Sequence, residues 1–520
     1  MEQGAAAPDP AAPPGEVARL EAIPARWAAH AGLVALREGA AAFTFRELDD
    51  MRMALAARLA ALGVRAGDRV MVVSENCALV PALLFAIASL DAWSVNVNAR
   101  LAPREVDAIR AHSGARRALY MSHVSEDARR HGERHGAQPL DLGAWGGVLV
   151  SPLNEACVPE PAAAHPDEQV AALIYTSGTT GNPKGVMLTH RNLLFIASVS
   201  GRLRGLSSGD RVYGVLPISH VYGLASVCLG SLYAGACLVL EPRYSPEAMA
   251  AALGAGGVTV MQGVPAMYAK LLEHLAAQAR PFHAPALRFL YAGGSPLDPA
   301  LKRDVEAATG LTLHNGYGLT EAAPTITQTR HEEPRSDCSV GRPLPGVDLR
   351  IVDRAGNDVA PGEPGELWAR GPNVMAGYYR NPELTAQTIH PGGWLNTGDI
   401  ARQDPDGALF IVGRTKELII RSGFNVYPVE VETVLNAHPD VTQSAVVGRE
   451  VDGNEEVVAF VELAPGACVD GPALQAFAAE SLSPYKRPSE VIVMSALPAA
   501  ANGKILKHQL KELARRHNNP

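Results

Sequence analysis

The sequence predicts an α/β fold with a large N-terminal domain of several subdomains and a small mobile α+β domain behind it. Three observations carry that prediction. Helical apolar spacing alternates with short apolar strands over roughly the first 400 residues. A turn and a charged cluster at 404–417 interrupt the alternation, and a new pattern of strands and helix starts after them. A chain of 520 residues also exceeds what one ordinary core serves, so two or more compact units are expected.

Residues 1–15 hold two acids, no Lys or Arg, and several prolines that interrupt any apolar run. They predict a disordered lead-in, neither a signal nor a transit peptide. Thr44 and Glu47 form a capping box. Leu48, Met51, Leu55, Leu59 and Leu62 follow on one helical face until Gly63 stops the helix. Strands are expected at 69–73, 258–261 and 287–291. Residues 221–240 carry no charge and are long enough to span a bilayer. Gly223, Gly230 and Gly235 break them, so they read as a buried helix to about Gly230, a turn and a strand from Ala236. The turn Asp404-Pro405-Asp406-Gly407 precedes a strand at 408–412, which closes an N-terminal domain of 16–412. A hinge is placed at 413–417 and a C-terminal lid domain at 418–520, with a helix at 429–436 and strands at 444–447 and 457–462.

Apolar residues make up 47% and charged ones 19%, the balance of a globular protein. Lys and Arg number 46 against 54 Asp and Glu, a formal charge of −8, so no broad positive field exists for nucleic acid. The six cysteines are scattered without CxxC spacing, which fits a reducing cytoplasm.

The expected strand at 170–175 runs into Thr176-Ser177-Gly178-Thr179-Thr180-Gly181-Asn182-Pro183-Lys184-Gly185. Four hydroxyls, three glycines and a lysine share these ten positions. Glycines let backbone N–H groups turn toward an anion, and hydroxyls and ammonium add donors, so the loop suits a polyphosphate. It lacks the Gly-x4-Gly-Lys-Ser/Thr spacing of a Walker loop.

This loop resembles the signature of the adenylate-forming superfamily of acyl-CoA synthetases, adenylation domains and luciferases. So do Tyr317-Gly318-Leu319-Thr320-Glu321, Trp394 to Asp399 with its Thr397-Gly398-Asp399, Gly413-Arg414 and Gly503-Lys504, in the family's order. The resemblance implies ATP, Mg²⁺ and coenzyme A as the small molecules involved. It implies phosphate contacts from Thr176, Ser177, Gly178, Thr179, Thr180 and Lys184. Tyr317 would pack on adenine among Asn315, Gly316 and Gly318, with Gly293, Gly294 and Ser295 lining the base and acyl pocket. Asp399 would hold the ribose, with Arg414 beside it; taken alone, the first is a turn acid and the second a solvated charge. Thr320 would touch the α-phosphate and Glu321 would hold Mg²⁺, although a helix-start acid is the plainer reading of a Thr-Glu pair. Lys504 would bridge carboxylate and α-phosphate during adenylation; without the family it is a solvated terminal lysine. Ala499 and Ala500 stand where the family has basic and hydroxyl residues.

Lys416 matches the position about which the small domain swings, and rotation would replace Lys504 by Ser422-Gly423-Phe424, with Gly423 letting the pantetheine thiol pass. The form Ser422-Gly423-Phe424-Asn425-Val426 resembles that of acyl-CoA synthetases, hence coenzyme A as acceptor. His220 would orient the acid, or else sit buried against a carbonyl. Val221, Tyr222, Val264, Met267, Ala322 and Ala323 would give an apolar lining suited to an alkyl or aromatic acid. No Asp or Glu occurs from 217 to 240 to neutralise an α-amino group, and Arg288 is positioned in sequence to serve a dicarboxylate. The expected activity is that of an ATP-dependent carboxylic acid:CoA ligase. A stand-alone or carrier-loading adenylating enzyme, a catalytically silent nucleotide-binding protein, and a homodimer stay open.

Overall fold

A computed structural model describes residues 17–142, 145–176, 183–422, 424–451, 454–464, 466–499 and 505–517. The N-terminal part holds two large sheets. In one, the strands Val34–Glu38, Arg211–Gly214, Cys237–Leu240, Val260–Gly263, Phe289–Ala292 and Leu313–Gly318 run parallel, and three more, joined by antiparallel pairing at the edges, make nine. In the other, of eight strands, Arg69–Ser74, Trp93–Asn98 and Val170–Thr176 form the parallel centre. Every residue of Arg69–Ser74 is buried, as expected for a strand covered on both faces.

The capping box at Thr44 is present: its hydroxyl accepts from Glu47 N, and Glu47 accepts from Thr44 N at 2.7 Å. The helix runs Phe45–Ala61 and buries Leu48, Met51, Leu55 and Leu59. The helix Leu79–Ala88 is buried all round, without polar side chains. Both helices, with His190–Leu203, join residues of the two sheets in one apolar core.

The uncharged stretch forms a π-helix Tyr222–Leu229, a helical turn Gly230–Tyr233 and the strand Cys237–Leu240. Helix thus continues one turn past Gly230, and Gly235, at φ +77°, makes the turn. No helix of the described residues is long and apolar enough to cross a membrane. The strands expected at 258–261 and 287–291 begin two residues later than the apolar run predicted, because Val258 and Leu287 are buried in the approach to each strand.

A five-stranded antiparallel sheet follows, and its strand Leu409–Arg414 passes the expected end at 412. Gly413 and Arg414 stay paired with Ile400 and Asp399, so ladder bonds hold them to the sheet. The C-terminal part is a small α+β unit. Strands Val441–Val451, Asn454–Leu463 and Glu490–Met494 carry the helices Pro428–Asn436, Gly471–Ser481 and Lys507–Arg516 over separate cores. Lys507 Nζ ties the last helix to Glu417 at 2.9 Å and Glu432 at 2.8 Å.

Candidate active site

The strands Val170–Thr176 and Lys184–Thr189 pair antiparallel, with Thr176 opposite Lys184 as the last rung before the loop. Ser177, Gly178, Thr179 and Thr180, with Gly181 and Asn182, lie outside the described residues. Lys184 Nζ stands 5.7 Å from the ring centroid of Tyr378. The Tyr378 hydroxyl donates to Glu321 Oε1 at 2.7 Å, so one phenol links the loop lysine to the expected metal ligand. Burial, then the Glu321 carboxylate, pushes that phenol far above its ordinary range and keeps it a donor. Tyr378 is placed by its own short strand, which pairs with Val186. Sequence reasoning missed it, and the only signal was the tyrosine pair in Gly377-Tyr378-Tyr379.

A second cluster forms where the strands Leu313–Gly318, Trp394–Gln403 and Leu409–Arg414 converge. The Tyr317 hydroxyl donates to Asp399 Oδ2 at 2.5 Å, and Arg414 Nε lies 3.0 Å from Asp399 Oδ1. Asp399 faces Arg414 across the ladder, and irregularities after Ile400 and Tyr317 turn both strands at this point. Asp399 is 3% exposed, its own N–H is held by Thr397 Oγ1, and Thr397 in turn donates to Leu367 O. Burial first, and Asp399 second, raise the Tyr317 phenol well above its usual range. A buried carboxylate with two donors is therefore set in a rigid frame.

Asn315 is turned inward: its amide nitrogen donates to the carbonyls of Cys338 and Ser339, and its oxygen accepts from Gly316 N. It shapes the strand end. A β-carbon on Gly316 would stand 1.8 Å from Tyr291 Oη, and one on Gly318 would stand 2.0 Å from Pro324 O; both positions require glycine. Thr320 and Glu321 sit on a short 3₁₀ turn, Thr320 buried and Glu321 half-buried, with Met375 N donating to Glu321 O.

On the acid side, Gly293 fits against the rings of Tyr291 and Tyr222, while Gly294, at φ +83°, and Ser295 are exposed. Val221, Tyr222, Met267 and Ala322 are buried, and Val264 is half-buried. His220 is exposed, and its Nδ1 accepts from Tyr222 N at 3.3 Å. Arg288 departs from the expectation that it could serve a dicarboxylate. It forms a two-pronged pair with Asp210, Nε to Oδ1 at 2.7 Å and Nη2 to Oδ2 at 2.6 Å, and also donates to Gly205 O. Its charge is already matched. The arginine that does lie beside the acid side is Arg204, at the end of the helix His190–Leu203, with its guanidinium 4.2 Å over the Tyr291 ring.

The sequence matches the profile of the AMP-binding enzyme family over residues 23–379 and that of the family's C-terminal domain over 430–504. The chain belongs to the AMP-binding enzyme family. It is 37% identical over 496 residues to a feruloyl-CoA synthase of an Amycolatopsis species, covering 94% of this chain and 96% of that protein. To a long-chain-fatty-acid–CoA ligase of Salmonella typhimurium it is 34% identical over 511 residues, covering 91% and 90%. The ATP-bound crystal structure of MatB from Rhodopseudomonas palustris superposes with a TM-score of 0.84 at 28% identity, covering 96% of this chain and 99% of that one.

In this AMP-binding enzyme Lys504, with Asn502 and Gly503, and Gly423 lie outside the described residues. Beside Gly423, Ser422 N donates to Asn454 Oδ1 at 2.7 Å, and the 55% exposed Phe424 stacks on Tyr485. Lys416 is exposed between the strands Leu409–Arg414 and Ile419–Arg421. Among the described residues no three His, Cys, Asp or Glu side chains gather as a metal site.

Proposed function

We propose that this AMP-binding enzyme adenylates an aromatic or alkyl carboxylic acid with ATP and passes the acyl group to coenzyme A. It is an ATP-dependent carboxylic acid:CoA ligase. In the first step a carboxylate oxygen of the acid attacks the α-phosphorus of ATP and pyrophosphate leaves. In the second the coenzyme A thiol attacks the acyl carbon, its proton is lost, and AMP departs.

The observation that carries the reading is the Tyr317–Asp399–Arg414 cluster. A buried carboxylate between a phenol and a guanidinium suits a ribose diol next to a flat base, and the resemblance gives these residues that role. Lys184, Tyr378 and Glu321 then face the phosphates. Glu321 is the residue to hold Mg²⁺; one carboxylate plus phosphate oxygens and waters is how that ion is usually bound, and it would neutralise phosphate charge there. Lys504 would meet the charge that builds on carboxylate and α-phosphate, an effect of about 3 kcal/mol for one fixed donor. Rotation about Lys416 would bring Gly423 to the adenylate for the thiol step.

The rings of Tyr222 and Tyr291 beside Gly293, and the feruloyl-CoA synthase relative, favour an aromatic acid. All six cysteines are free thiols, which fits a proposed reducing cytoplasm. The test is acid-dependent pyrophosphate release with ATP and Mg²⁺ over alkyl, aryl and dicarboxylic acids, with and without coenzyme A. Thioester that forms only when coenzyme A is added supports the reading; no release with any acid refutes it.

A further inference from the structure

Arg204 is 1% exposed, yet among the described residues no Asp or Glu pairs with it. Its Nη1 donates to Gln262 Oε1 at 2.7 Å, while Nε and Nη2 have no hydrogen-bond partner. Asp210 pairs with Arg288, and Glu306 with Lys302, each at 2.6 Å.

The side chains around Arg204 share this imbalance. Gln262 and Gln328 are fully buried, and the Nε2 of each is unpartnered. Gln328 Oε1 is already used by Ser200 Oγ at 2.9 Å. The Tyr222 hydroxyl is buried without a partner as well. These groups lie on one side of the large sheet. Gln262 is level with Tyr291 in the parallel ladder, and Gln328 faces Gly316, where a β-carbon would meet Tyr291 Oη. Ser200 and Arg204, four residues apart on one helix face, pack onto that side. Tyr291 and Tyr222 are also the rings beside Gly293, so the donors stand just behind the acid side of the site. Burying a charge and several donors without an acceptor is costly. A planar carboxylate, which takes two parallel N–H bonds from one guanidinium, is the group that relieves it.

We infer that the acid substrate carries a second carboxylate at its far end, received by Arg204 Nε and Nη2 with Gln262, Gln328 and Tyr222 as further donors. This rests on the ligase reading and names its substrate class, a dicarboxylic acid in which one carboxylate is adenylated and the other anchored. Arg204 is then the specificity-determining residue.

The test compares matched acids by kcat/KM in ATP–pyrophosphate exchange: terephthalate with 4-methylbenzoate and 4-hydroxybenzoate, and adipate with hexanoate. The wild type is expected to favour the dicarboxylate at least tenfold in one series. In Arg204→Met that preference should fall 100-fold or more, with the monoacid's kcat/KM unchanged within threefold or raised. Arg204→Lys should keep part of the preference. A wild type that favours the dicarboxylate less than tenfold in both series overturns the inference, as does an equal loss for both acids in an Arg204→Met protein that still binds ATP. If Arg204→Met does not fold, the wild-type ratios and Arg204→Lys decide. Exchange with monoacids alone overturns only this inference, whereas no exchange with any acid overturns the ligase reading itself.

Discussion

Replacing Asp399 by Asn keeps the side chain's shape while it removes the charge and one of two acceptor oxygens. In the protein each oxygen has its own donor, Tyr317 at 2.5 Å on Oδ2 and Arg414 at 3.0 Å on Oδ1. The Arg414 side chain is 48% exposed, so that ion pair is worth at most about 1 kcal/mol after solvent screening. The Asp399 side chain is 5% exposed, and a charge-assisted bond from it to a ribose hydroxyl is worth about 1.5–3 kcal/mol. At about 1.4 kcal/mol per tenfold, Asp399→Asn should lower kcat/KM for ATP by about 10- to 150-fold. The kcat/KM for the acid at saturating ATP should move much less. The assay is ATP–pyrophosphate exchange with ATP, 2′-deoxy-ATP and 3′-deoxy-ATP on both proteins, which forms a double-mutant cycle. If the carboxylate holds the ribose, the deoxy analogues are penalised in the wild type and hardly at all in Asp399→Asn. Equal penalties in both proteins, or an ATP kcat/KM unchanged within about threefold, would refute the assignment.

Other substitutions separate the remaining roles. Lys504→Ala should lose adenylation by about 100-fold while it still forms thioester from supplied acyl-adenylate, and Gly423→Leu should do the opposite; equal loss of both half-reactions in both variants removes the division of labour. Gly316→Ala must displace Tyr291, whose hydroxyl would be 1.8 Å from the new β-carbon. It is expected to cost about 1–3 kcal/mol in a melt and to weaken acid binding, and a variant with unchanged stability and KM for acid contradicts the packing. Asp210 is 3% exposed; burial raises its pKa, but bonds from Arg288, Ser207 N and Thr259 outweigh this and hold it below the usual carboxylate range. A depressed folded pKa means that stability is present above the unfolded value near 4 and is lost as pH falls through the folded one. Asp210→Asn should therefore cost about 1–3 kcal/mol at pH 7, discounted for the partly exposed Arg288, and the denaturation midpoints of the two proteins should converge between pH 5 and 2. A gap that stays constant over that range would mean the carboxylate charge is not what matters.

How much of this was legible from residues alone depends on whether a feature is local. The helix Phe45–Ala61 is specified within its own sequence by a capping box at Thr44 and one apolar face, and it forms as expected. The Tyr317, Asp399 and Arg414 motifs were each visible as short strings, and the ladder then brings them together. Pairings set by tertiary placement were not visible. Arg288 and Arg204 look alike in sequence, yet one meets a carboxylate, Asp210, 78 positions away, and the other meets the neutral Gln262, 58 positions away, and the ring of Tyr291. Nothing in spacing or composition distinguishes a matched guanidinium from an unmatched one. The strand Leu409–Arg414 outran its expected end for a related reason. Gly413 and Arg414 read as the start of a polar linker, but their ladder partners Ile400 and Asp399 hold them in the sheet.

The two arginines also show where in the fold specificity can vary without disturbing chemistry. Of the groups expected to meet ATP, Lys184, Tyr317 and Arg414 sit at strand ends, Glu321 on a short turn and Asp399 within a strand, and the backbone beside Tyr317 is fixed by neighbours, as Gly316 and Gly318 are by contacts a β-carbon would violate. The groups behind Tyr291 are side chains of Gln262 and Gln328 on two strands and of Ser200 and Arg204 on one helix face, where a residue can change without moving the backbone. A ligase of this architecture can therefore exchange one acid for another through Arg204, Gln262 and Gln328 while Tyr317, Asp399 and Glu321 stay in place. That separation is what makes the matched-acid ratio a sharper reading of Arg204 than any single rate.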